Sequence, residues 1–164
     1  MKKLFLLLAF TTPFLFTSCI EDDEPDTALF LAEVFETTIN FSESNGYRVN
    51  VPFPSDVTVY ESDAILVYLL EGVTSNGDDI WSQLPQTYFL EQGTLLYSFD
   101  HTFFDAEIFL DGNFDLSTLE STYTSNQTFR IAIVPAEYAS ADLTMDALLQ
   151  HSEINITQIG GLGN

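Results

Sequence analysis

The apolar residues of this chain recur mostly with a period of two, the spacing of side chains along one face of a strand. In Phe35-Glu36-Thr37-Thr38-Ile39-Asn40-Phe41 the odd positions can face a core, and in Tyr47-Arg48-Val49-Asn50-Val51-Pro52-Phe53 they are again apolar. Ser42-Glu43-Ser44-Asn45-Gly46 between them reads as the turn of a hairpin, because Asn-Gly accepts positive φ readily. Pro52 and Pro54 end the second strand or place it at a sheet edge, since proline donates no ladder hydrogen bond. Ala64 to Leu70 is continuously apolar, which predicts a central strand covered on both faces. Asn76-Gly77 then turns the chain. Thr87 to Glu91 and Thr94 to Phe99 flank Gln92-Gly93 as a tight hairpin. From Phe104 to Leu110 the even positions are apolar, so Asp105 and Glu107 point outward. Asp111-Gly112-Asn113 forms another turn, and Thr128 to Val134 is a late strand closed by Pro135.

Roughly seven to nine short strands with Gly and Asn turns between them indicate an all-β fold. The expectation is an immunoglobulin-like antiparallel β-sandwich over residues 33–164 with a short C-terminal helix. Asp142 can cap that helix, which runs from Leu143 to about His151 with Leu143, Ala147 and Leu148 on one face. A last short strand, Ile154 to Ile159, rejoins a sheet. The 15 Phe and 7 Tyr supply bulky core material, and a body of this length can fold without disulfides.

The N-terminus breaks the alternation. Met1-Lys2-Lys3 is a charged start, and Leu4 to Phe16 is an apolar run interrupted only by Thr11, Thr12 and Pro13. Such a run is shorter than the roughly 20 residues that span a bilayer and fits an export signal. Phe16-Thr17-Ser18-Cys19 resembles the lipobox of bacterial lipoproteins. That resemblance implies removal of residues 1–18, a diacylglycerol thioether on Cys19 and acylation of its new amino group. Several acyl chains anchor far more firmly than one. Ile20-Glu21-Asp22-Asp23-Glu24-Pro25-Asp26 resembles the surface-export signal of Bacteroidetes lipoproteins. As a self-repelling run it also makes an extended tether over residues 19–32. Asp26-Thr27-Ala28 resembles the O-glycosylation motif of the same phylum, with Thr27 as the acceptor.

Charge removes several function classes. Lys+Arg number 4 against 25 Asp+Glu, for a formal charge of −21. Cleavage before Cys19 leaves only Arg48 and Arg130 as lysine or arginine cations. Two arginines cannot displace the counterions of a nucleic acid, so no nucleic-acid partner is expected, nor a basic face for anionic lipid. The membrane is reached through the lipid anchor instead. One Cys and two His cannot build an internal disulfide or a Cys/His zinc cage.

The candidate sites are few. Asp111, Asn113 and Asp115 form a D-x-N-x-D string whose alternate oxygens can wrap Ca²⁺. Leu116 and Thr122 stand where an EF-hand needs Gly and Glu, and ordinary turns select the same Asp and Asn residues. Trp81, the only tryptophan, can join Tyr88 and Tyr97 in a sugar-stacking platform, or serve as a core residue like the single Trp of many sandwiches. Asp105 and Glu107 share a strand face and can approach the carboxyl separation of a glycosidase, but the solvated face of a strand explains them equally. His101 and His151 stand in no nucleophile context, and there is no G-x-S-x-G. Arg48 and Arg130 read as bridges to acids on their own sheet faces. No enzymatic activity and no cofactor beyond that Ca²⁺ candidate are expected.

The blocks Val-Pro-Phe-Pro (51–54), Trp-Ser-Gln-Leu-Pro-Gln-Thr (81–87), Ile-Phe-Leu-Asp-Gly-Asn-Phe (108–114) and Phe-Arg-Ile-Ala-Ile-Val-Pro-Ala (129–136) resemble a family of small lipoproteins of Flavobacteria and relatives. The likeness runs from about Glu33 to Ile159 and implies no activity, because that family has no assigned catalytic residues. The expected function is an outer-membrane, surface-facing lipoprotein with a structural or binding role toward a glycan or a surface protein. The alternative is a carbohydrate-binding accessory module of a polysaccharide-uptake system.

Overall fold

The computed structural model of the chain describes residues 32–136 and the backbone of residues 157–162. The strands are β1 (Glu33–Ile39), β2 (Arg48–Pro52), β3 (Ala64–Val73), β4 (Asp79–Gln83), β5 (Gln86–Leu90), β6 (Gly93–His101), β7 (Asp105–Gly112), β8 (Gln127–Val134) and β9 (Thr157–Leu162). They form a five-stranded sheet in the order β4-β3-β8-β1-β9 and a four-stranded sheet in the order β2-β7-β6-β5. The result is the expected all-β sandwich. Helix among the described residues is confined to three-residue 3-10 turns at Glu43–Asn45, Leu116–Thr118 and Ser121–Tyr123. The helix expected over Leu143–His151 lies outside the described residues.

Alternation builds the core as the sequence requires. Phe35, Ile39, Val67, Leu69, Phe129 and Ile131 point inward from the larger sheet. Val49, Val51, Leu95, Tyr97, Ile108 and Leu110 meet them from the smaller one. Each such side chain contributes about 1.5–3 kcal/mol when fully buried. The apolar run in β3 is indeed buried on both faces: Ile65, Val67 and Leu69 face the second sheet, while Leu66 and Tyr68 join Ala32, Val34, Ala132 and Val134 on the outer face. Pro52 closes β2, which is an edge strand of its sheet.

Three features differ from the expectation. Asn45-Gly46 does turn the chain, with Gly46 at φ 62, but it does not make a hairpin. β1 pairs with β8 and β9, and β2 pairs with β7, so the turn carries the chain from one sheet to the other. The last strand, Thr157–Leu162, continues through Gly160 and Gly161 past the expected end at Ile159, and residues 154–156 lie outside the described residues. It runs parallel to β1, whereas the other described strand pairs are antiparallel. Phe104 is 78% exposed, not inward-facing, because β7 starts one residue later and Phe104 sits in the preceding turn.

Thr37 occupies an inward position between Phe35 and Ile39, fully buried, and its hydroxyl has no hydrogen-bond partner among the described residues. A buried, unpaired hydroxyl costs free energy, whereas an apolar group of the same shape does not. Thr37→Val is therefore expected to raise stability by about 1 kcal/mol in urea titration. A lower denaturation midpoint would contradict that reading.

Candidate functional site

Two short connections bring three exposed aromatics, Tyr60, Phe103 and Phe104, to one end of the sandwich, while a fourth, Phe89, stands on β5. The first is the β2–β3 segment. Pro52 and Pro54 stop the strand, and the Phe53 amide donates to the Phe104 carbonyl at 2.8 Å. The Phe53 ring packs edge-on against Phe35 at 5.8 Å, fixing the segment to the core. Val57 and Val59 also lean on the core. Next comes a tight turn in which Asp63 N donates to Tyr60 O at 3.0 Å and Tyr60 N donates to the Asp63 carboxylate at 2.8 Å. This turn leaves the Tyr60 ring 65% exposed.

The second connection is the β6–β7 turn. Thr102 N donates to Asp105 O at 2.9 Å, the Thr102 hydroxyl donates to the Asp105 carboxylate at 2.6 Å, and Phe104 N donates to that hydroxyl at 3.0 Å. Asn50 adds a bond from β2 to the same carboxylate at 3.0 Å. The Thr102 and Asn50 bonds hold the Asp105 pKa below the usual carboxylate range. A turn braced this way presents Phe103 and Phe104 outward.

Between the two connections lies a cleft of about 270 Å³ lined by Val59, Tyr60, Glu61, Asp63, His101 and Phe103. Beyond Tyr60 a wider groove of about 540 Å³ includes Glu33, Asp56, Ser62, Asp63 and Pro135. Tyr60 and Asp63 form the ridge between them. The arrangement offers π-faces beside carboxylate groups, whose oxygens accept hydrogen bonds. Among the described residues no group of three His, Cys, Asp or Glu is placed to hold a metal ion.

The aromatic residues singled out in the sequence do not form one platform. Tyr97 is a core residue, 1% exposed, whose hydroxyl donates to Tyr123 O at 2.6 Å. Burial, and then the neighbouring Tyr123 and Glu71, push its pKa well above the ordinary tyrosine value. Tyr88 packs edge-on against Tyr97 at 5.5 Å between the sheets, and its hydroxyl donates to Glu71 at 2.6 Å. Burial and that bond raise its pKa strongly as well. Trp81 lies on the outer face of the other sheet, against the Leu66 and Tyr68 cluster, with the Arg130 guanidinium 4.0 Å from its ring centroid. Tyr97 is thus excluded from a surface site by its core position, and Trp81 and Tyr88 stand on different faces.

The other candidates are tied to neighbouring groups. Asp111 accepts from the Gly112 amide, Asn113 from Thr94 N at 2.8 Å, and Asp115 from Ser117 N at 3.0 Å. One oxygen of each residue in the D-x-N-x-D string is thus engaged by a backbone amide, that of Asn113 tying the chain after β7 to the start of β6. Asp105 is held by Thr102 and Asn50, and Glu107 pairs with Arg48 at 2.6 Å. Cys19, Thr27 and His151 lie outside the described residues.

Asn113 also packs against Gly93, the first residue of β6, where φ is 149. A Cβ added there would stand 2.2 Å from Asn113 Oδ1 and 2.9 Å from the Phe114 ring. Gly93→Ala is expected to cost about 1–3 kcal/mol in chemical denaturation. An unchanged midpoint would mean the turn relaxes freely.

Sequence reasoning passed over Tyr60, Glu61, Asp63 and Phe103. A signal was present at one of them: Phe103-Phe104 places two apolar residues in succession, and an alternating strand can bury only one. Fold and cleft together define a β-sandwich with an open cleft between two connections at one end. No protein-family model matches the chain, and no curated protein or solved structure does.

Proposed function

We propose that the chain is a lipid-anchored protein of the outer membrane, facing the medium, whose β-sandwich is a non-catalytic binding body. The observation that carries this reading is Phe16-Thr17-Ser18-Cys19, set behind an apolar leader and ahead of an acidic run, with the first described strand beginning at Glu33. An open cleft with Tyr60 and Phe103 exposed on its walls supports the binding part of it, since apolar surface gathered in one exposed place marks interaction sites. Fractionation of cells expressing the whole chain tests the anchor. The parent is expected with the membranes and Cys19→Ala in the soluble fraction. Unchanged partitioning of the variant would count against lipidation.

A second reading, a carbohydrate-binding accessory module, is favoured by one observation. Tyr60 and Phe103 are exposed beside Glu61 and Asp63, so a pyranose face could stack while carboxylates accept its hydroxyls. This moves the stacking surface away from Trp81, Tyr88 and Tyr97.

A further inference from the structure

The cleft between Tyr60 and Phe103 has an electrostatic property that selects among ligands. Its carboxylates have no lysine or arginine of their own chain to pair with. The chain has four such residues. Arg130 is committed to Glu36 on one sheet face, and Arg48 to Glu107 on the other sheet. Lys2 and Lys3 belong to the leader expected to be cleaved. Glu61 and Asp63 line the cleft itself, while Glu33 and Asp56 line the groove that continues past Tyr60. A cation entering there must come from another molecule.

The walls narrow the choice further. Tyr60 and Phe103 are 65% and 51% exposed, and His101, which also lines the cleft, stacks on Phe99 at 6.4 Å. A small hydrated ion gains little from rings, whereas a planar, weakly hydrated guanidinium stacks on aromatic faces and donates to carboxylates at once. A neutral sugar would stack as well but would leave the negative charge uncompensated.

We propose that this cleft binds an arginine side chain presented by a partner protein, its guanidinium held between the Tyr60 and Phe103 rings and the Glu61 and Asp63 carboxylates. This names the partner chemistry of the binding body and rests on that part of the functional reading; it does not depend on the anchor.

The test titrates the full chain at low salt, followed by NMR or calorimetry, with acetyl-Gly-Arg-Gly-amide, its citrulline counterpart, phosphocholine and a neutral oligosaccharide. The arginine peptide is expected to bind with a Kd of about 1 mM or tighter, the citrulline peptide at least tenfold more weakly. Phe103→Ala, which leaves the net charge unchanged, is expected to weaken arginine binding about two- to fivefold. Glu61→Gln combined with Asp63→Asn should weaken it more, while the asparagine keeps an oxygen for the Tyr60 amide. Glu120→Gln, elsewhere on the surface, should change it little. Equal affinity for citrulline, stronger binding of phosphocholine or the oligosaccharide, no binding of the arginine peptide, or indifference to Phe103→Ala would each overturn the proposal. None of these results bears on whether Cys19 is lipidated, so the two readings fail separately.

Discussion

Arg130→Met is expected to cost the fold about 3–5 kcal/mol, although methionine fills much of the same space. Arg130 sits on β8 opposite Glu36 of β1 and Tyr68 of β3, and only 6% of its side chain is exposed. Its Nε and Nη2 both donate to Glu36 Oε1, at 2.8 and 2.5 Å, and Trp81 covers the guanidinium. Glu36 is itself only 13% exposed. Removing the arginine leaves a poorly hydrated carboxylate without its cation, and that desolvation penalty dominates. Removing both charges is a different experiment. Glu36→Leu with Arg130→Met should recover most of the loss, because an apolar pair of similar volume replaces a buried ion pair at little net cost. The lone tryptophan gives a second readout, since its emission should shift in Arg130→Met. A loss below about 1 kcal/mol in the single variant would show that water reaches the pair far better than the burial implies.

Phe129→Ala is expected to cost a similar amount, about 3–5 kcal/mol, for an unrelated reason. Phe129 is fully buried on the inward face of β8. It meets Phe41 edge-on at 6.1 Å and Tyr97 at 6.4 Å, so it joins both sheets at the centre of the sandwich. Truncation removes transfer free energy and leaves a cavity that two rigid sheets cannot close. Phe129→Leu should cost less, because it retains most of the volume. Equilibrium unfolding in urea measures both. Since a domain of this size is stable by only about 5–15 kcal/mol, the alanine variant should unfold at far lower denaturant. Equal losses for Ala and Leu would mean that ring geometry, rather than filled volume, sets the cost.

The sequence was most legible where one face of a strand is dry. Phe35, Ile39, Val49, Val51, Ile108 and Leu110 could be assigned inward by alternation alone, and all are buried. The doubly buried β3 was legible from its unbroken apolar run. Both arginines could be read as cross-strand bridges because acids are abundant and cations scarce. Pairing partners were not legible. Asn45-Gly46 announces a turn, but alternation says only which face of a strand is apolar, not which sheet the strand joins. The long-range pairs β1–β8 and β2–β7 decided that. The parallel seating of β9 on β1 was hidden for the same reason.

The cleft was hidden more thoroughly. Tyr60 and Phe103 lie in connections, where periodicity carries no information, and one brace on the Phe103 turn comes from far along the chain, Asn50 on Asp105. Trp81, Tyr88 and Tyr97 drew attention because large aromatics suit stacking, but the same surface suits a core. The side that won was set by neighbours: the Arg130 guanidinium over Trp81, and hydrogen-bond acceptors for the two tyrosine hydroxyls.

What most directly decides the account is the intact mass of the protein recovered from cell membranes, with fragmentation of its first peptide. The expected species starts at residue 19, with a diacylglycerol on the sulfur and a further acyl chain on the amino group. A protein that retains Met1, or one cleaved elsewhere and carrying an unmodified thiol, would contradict it.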